Sequence, residues 1–220
     1  MAYGASNGVA SGAQEGSRDR VPTYNDIRLQ QYALMAFGYD GISLFCYGSP
    51  IADGEFASSQ YGMIDRSGNK TEIYESVKKA NNELLSFDHV LKQFAWQGVF
   101  TCDAGKTITG TSSTSNASFK SLDRISLANV SSLSKVSASA DTLCGYFKDA
   151  AGNDGIMVVN YNETTENLTD TVELTFDSSK YNAAVCYVGG VKKVFTGLTD
   201  GKLSLSLGAG EGIFVIPYAE

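Results

Sequence analysis

The chain has 220 residues, room for one large domain or two small ones, and it is 43% hydrophobic and 11% aromatic, which supports a packed core and excludes wholesale disorder. Its formal net charge of -7 and pI near 4.8 argue against a nucleic-acid partner or an anionic membrane surface, since both need clustered Lys and Arg. There is no run of about twenty apolar residues, so no membrane span is expected.

Met1–Ala5 carries no basic region followed by an apolar stretch, so no signal peptide is expected at this end. A secreted or periplasmic parent would carry one upstream. Residues 1–20 are rich in Gly, Ser and Ala and read as a loop. Pro22 and Thr23 then open a helix. Thr23 is the expected N-cap, with Asp26 three residues on as in a capping box. Ile27, Gln31 and Leu34 share one face, and Gly38 is placed to end the helix. Gly41–Tyr47 is a nearly continuous apolar run between glycines, the pattern of a strand buried on both faces.

A loop runs from Gly48 to Gly68. Asn69–Glu72 begins a long helix whose apolar stripe is Ile73, Val77, Ala80, Leu84, Phe87 and Leu91. Helix, buried strand, long loop and long helix in that order make an α/β cadence. Residues 103–140 are dominated by Ser, Thr, Ala and Gly, with apolar anchors such as Phe119, Leu122, Ile125 and Val130. They read as a wrapping linker with the first edge strands of a second domain.

The remainder alternates strands and turns. Leu143–Lys148 and Ile156–Tyr161 flank a turn at Gly152–Gly155. Val172, Leu174 and Phe176 alternate with polar residues, as do Leu203, Leu205 and Leu207. Val185–Val188 and Val191–Phe195 surround a Gly189-Gly190 hairpin turn. Gly212–Pro217 closes the set. Short strands at this spacing predict an antiparallel β-sandwich, expected to fold by itself.

The segment from Arg20 to Pro50 resembles the end of a β-galactosidase-like TIM-barrel glycosidase, in which a helix opened by Pro-Thr leads through a Gly-x-x-Gly turn into the eighth barrel strand. Tyr61–Thr71 resembles the passage into the final barrel helix. Gly208–Pro217 is similar to the last strand of the small β-domain that follows such barrels. The resemblance implies α/β plus all-β architecture: the last βα units of a (β/α)8 barrel, then an antiparallel β-sandwich. It implies residues 1–95 as the C-terminal part of the barrel, 96–140 as linker and edge strands, and 141–220 as the sandwich. A complete barrel needs about 250 residues. The chain is therefore expected to be the C-terminal portion of a glycoside hydrolase, inactive alone. Its expected partners are a carbohydrate substrate and the N-terminal remainder of the parent barrel. The alternative is a non-catalytic carbohydrate-binding or structural β-sandwich module.

Glycoside hydrolysis needs two carboxyl groups flanking the scissile bond. By the resemblance, one lies outside the chain and the other at or before Met1, so no catalytic residue is assigned. Glu15, Asp19, Asp53 and Glu55 read as solvated loop acids. Tyr47, at the end of the expected eighth strand, is the candidate ring to stack on a sugar, weighed against a core role. Ser6 and Asn7, after the expected seventh strand, are candidates to hydrogen-bond sugar hydroxyls. A sugar-binding sandwich would instead present Tyr146, Tyr161, Tyr181 or Tyr187. Trp96 is expected to pack between the two parts, and His89 to lie at the surface. The four cysteines, Cys46, Cys102, Cys144 and Cys186, read as reduced thiols without metal spacing. Asp149–Gly155 offers Ca²⁺-like oxygens but lacks the closing glutamate, so a hairpin turn is expected. No metal and no cofactor are expected.

Overall fold

The computed structural model describes residues 21–49, 62–110, 122–162 and 164–220. Helix α1 spans Tyr24–Ala36. Its start is fixed by a reciprocal capping box: the Thr23 amide donates to Asp26 Oδ2 at 2.7 Å, and the Asp26 amide donates to Thr23 Oγ1 at 3.3 Å. Gly38, at φ 75°, takes the left-handed conformation that ends it. Helix α2 is Glu72–Leu85 and the short α3 is Asp88–Leu91. The stripe that predicted one long helix is broken at Ser86–Phe87. There Ser86 Oγ donates to Glu83 O at 2.6 Å, and Phe87 turns inward to stack on Tyr187 and Phe214.

Among the described residues ten strands follow, forming two antiparallel sheets. They are β1 (Phe94–Cys102), β2 (Lys106–Thr109), β3 (Leu133–Ala138), β4 (Thr142–Asp149), β5 (Asp154–Asn160), β6 (Thr169–Phe176), β7 (Ala183–Val188), β8 (Val191–Phe195), β9 (Lys202–Gly208) and β10 (Gly212–Tyr218). The six-stranded sheet has the order β1-β4-β5-β10-β7-β8, and the four-stranded sheet the order β2-β3-β6-β9. The core between them is built from Phe100, Val136, Ile156, Leu174, Leu205 and Val215. In β6 and β9 apolar residues alternate with exposed or half-buried polar ones, because one face meets this core and the other meets water.

The expected remnant of several barrel βα units is not what the chain forms. Among the described residues the fold is mostly antiparallel sheet with three short α-helices. Gly41–Tyr47, read as a strand buried on both faces, forms no strand among the described residues. Its side chains alternate: Ile42, Leu44 and Cys46 are half-buried, while Phe45 and Tyr47 are exposed. Ile42 and Leu44 pack toward the helices, which cover only one side of the run. A parallel bridge joins Gly48 to Ile64.

The continuously apolar run lies elsewhere, in β5, where every residue is buried. Its inward side faces the sandwich core. Its outward side, with Met157 and Val159, lies under α1 together with Leu143, Phe147 and Phe214. The molecule is thus three-layered: helices, six-stranded sheet, four-stranded sheet. Every residue from Tyr24 to Ala36 is buried or half-buried. The sandwich expected to fold by itself from about residue 141 draws β1, β2 and β3 from earlier in the chain, and α1 as its cover.

Candidate functional site

Three places combine chemistry-bearing groups: the buried junction of α1 with α2 and the β9–β10 turn, the β4–β5 hairpin, and the aromatic segment that follows α1.

At the junction, α1 comes close to the sheet because glycines floor it. A Cβ at Gly145 of β4 would lie 2.3 Å from Ala36 O, one at Gly210 would lie 2.4 Å from Asn25 O, and one at Gly212 of β10 would lie 2.1 Å from Tyr32 Cδ1. Arg28 projects from α1 into this seam. Its Nη1 is 4.0 Å from Glu83 Oε1 on α2, and its Nη2 is 3.6 Å from Glu211 Oε2 beside β10. Nη2 also donates to Ala209 O at 3.4 Å. The Tyr24 and Tyr32 hydroxyls both donate to Glu83. Burial, then the bond to Glu83, pushes the Tyr24 phenol up to about 12, so it stays protonated and donates. Lys79 Nζ lies 3.8 Å from the Tyr24 ring centre, on α2. At the N-terminus of α1, Asp26 accepts from the Thr164 hydroxyl, tying the helix to the β5–β6 connection.

This cluster holds two carboxylates, yet it is not arranged for glycoside hydrolysis. Both turn toward one guanidinium, and the side chains of Arg28, Glu83 and Glu211 are only 9%, 8% and 14% exposed. An acid and a nucleophile must flank an accessible sugar bond. Here the carboxylates join three elements.

A second cluster lies at the β4–β5 hairpin. Asp154 accepts from Lys148 Nζ at 2.7 Å, from Tyr146 Oη at 2.9 Å and from the Ser132 amide at 2.8 Å. Lys148 Nζ also lies 3.0 Å from Ser131 Oγ. A serine beside a lysine suits acyl transfer only when the amine is neutral enough to accept a proton. Burial alone would lower Lys148, but its bond to Asp154 wins and raises it. The pair is a structural anchor.

Tyr47 is 65% exposed near the end of the 41–48 segment, with Phe45 at 48% and Tyr39 at 58%. The Tyr47 carbonyl accepts from the Ile64 amide at 2.8 Å, and the Ser49 amide donates to Ile64 O at 2.7 Å. The backbone is thereby held while the ring faces water. Ser6 and Asn7 lie outside the described residues, as do Glu15, Asp19, Asp53 and Glu55. Trp96 packs on Gly38 and donates its indole N–H to Ala36 O at 3.0 Å, closing the C-terminus of α1. His89 is exposed beside Asp88.

Of the four sandwich tyrosines named as candidates, only Tyr161 is exposed, at 36%. Tyr146 and Tyr187 are buried, and Tyr181 packs against the core. The outer face of the four-stranded sheet carries hydroxyls and charges in register. One row is Thr107, Ser137, Glu173 and Ser204, and the next is Thr109, Lys135, Thr175 and Lys202. The hairpin at Asp149–Asn153 is closed by its own aspartate: Asp149 Oδ1 accepts from the Ala151 and Asn153 amides at 2.9 and 2.8 Å, and Oδ2 accepts from Asn153 Nδ2 at 2.7 Å. Asp65 closes the Asp65–Asn69 turn with the same set of bonds. Among the described residues no group of three or more His, Cys, Asp or Glu is placed to hold a metal ion.

The junction was not legible in the sequence. Arg28, Glu83 and Glu211 are far apart in the chain, and no spacing links them. The one available signal was Glu83 itself, a charge within the apolar side of an amphipathic helix. In comparisons with known proteins, no family model matches the chain, and no curated protein or solved structure matches it either.

Proposed function

We propose that this chain is the non-catalytic C-terminal portion of a glycoside hydrolase, and that its sandwich braces a segment bordering the sugar site. The observation that carries this reading is the seat of α1. The helix that resembles a glycosidase segment is pressed onto a glycine-floored sheet and pinned by Arg28. The chain leaves that helix directly into a held segment with outward aromatic rings. Tyr47 is the ring assigned to the sugar. An aromatic face is apolar while the phenol stays wet, a combination that suits a sugar's C–H face and hydroxyls. The mild acidity of the chain suits a neutral ligand. The alternative sugar-binding role for the sheet faces is disfavoured by the burial of Tyr146 and Tyr187. A structural role for the sandwich is part of the same proposal.

The test is an NMR titration of the chain with neutral mono- and oligosaccharides at millimolar concentration, beside an aryl-glycoside hydrolysis assay. The expected result is weak shifts centred on residues 39–49, their loss in Tyr47→Ala, and no hydrolysis. Shifts on the outer face of the four-stranded sheet, no shifts at all, or turnover by the chain alone would each overturn it.

A further inference from the structure

We draw no further inference here: the strongest candidate, the apolar patch where exposed Val194 and Val191 of edge strand β8 continue the half-buried row of Val185 and Ile216, is a face for which nothing in the structure shows an occupant.

Discussion

Tyr32 stands directly on Gly212, so close that a methyl group at position 212 would lie 2.1 Å from ring atom Cδ1 and 2.7 Å from the tyrosine Cβ. Those atoms are the root of a fully buried side chain, with no room to swing aside. Gly145 meets the helix backbone in the same way at Ala36 O. Gly212→Ala and Gly145→Ala are each expected to destabilise the fold by about 2–4 kcal/mol, at or above the usual range for overpacking. Gly41→Ala, with nothing within 4 Å of its added Cβ, is the control and should change little. Urea unfolding of the three variants is the measurement. Equal midpoints would remove the glycine floor as a reason for the helix position.

Arg28 joins α1, α2 and the β9–β10 turn through Glu83 and Glu211. Removing Arg28 leaves Glu83 and Glu211 buried without their cation, which costs about 3 kcal/mol or more. Arg28→Met should be strongly destabilising, Glu211→Gln less so because Arg28 keeps Glu83, and the double variant should lose less than the sum of the two. Lys92→Met, which removes an exposed i,i+4 partner of Asp88, should change the midpoint little, since solvent screens such a pair. Additive losses in the double-mutant cycle would show that Arg28 and Glu211 are not coupled.

Asp154 governs part of the acid limit. Burial alone would raise its carboxyl, but bonds from Lys148, Ser132, Tyr146 and Ser131 outweigh burial and hold it below the ordinary value. A depressed folded pKa adds stability above the unfolded value of about 3.9, and that stability is lost as pH falls through the folded pKa. Lys148 is raised, so its contribution is present below about 10.4 and is lost as pH rises through its folded pKa. Asp65, Asp88, Asp149 and Asp177 are also held low by local hydrogen bonds and share the acid limb. Asp154→Asn is therefore expected to be less stable at pH 7 and to show a shallower fall in stability between pH 4 and pH 2. A slope unchanged from the parent chain would exclude Asp154 from the acid response.

Strand β8 is an open edge of the six-stranded sheet, and its Lys192 and Lys193 are exposed. Lysines on an edge discourage pairing with a second chain, since two such edges would bring like charges together. Replacing both by Thr raises strand propensity and removes the charge. The double variant should associate with rising concentration in light scattering while the parent chain does not. A variant with the parent's scattering would show that this edge is guarded by something other than charge.

The legible parts of the fold were those with one wet face. Val172, Leu174 and Phe176, and then Leu203, Leu205 and Leu207, state both strand and orientation, because water on one side enforces a period of two. Runs buried on both sides carry no such mark. Ile156–Val159 is covered outward by a helix from far earlier in the chain, and nothing local announces it. Gly41–Tyr47 has the same apolar texture but is covered on one side only, so an apolar run reports affinity for cover rather than the number of covers. β1 falls at the start of the stretch read as linker and edge strands, but its own span is unmarked because Gln97, Gly98 and Thr101 interrupt its pattern and a register shift falls between Trp96 and Gly98. Of the candidate site residues, Tyr47 was visible as the last ring of an apolar run, whereas the buried Arg28 junction exists only after three distant elements meet.

Because α1 is pinned at both ends, by Asp26 to Thr164 at its start and by Trp96 to Ala36 at its finish, a single nick in the 39–49 segment should not free it. The severed helix would stay lodged in its glycine-floored trough, as a plug stays in a socket after its cord is cut. Such a molecule is suited to splitting: a peptide carrying α1 and a second piece carrying the ten strands would be expected to find each other again without a covalent link.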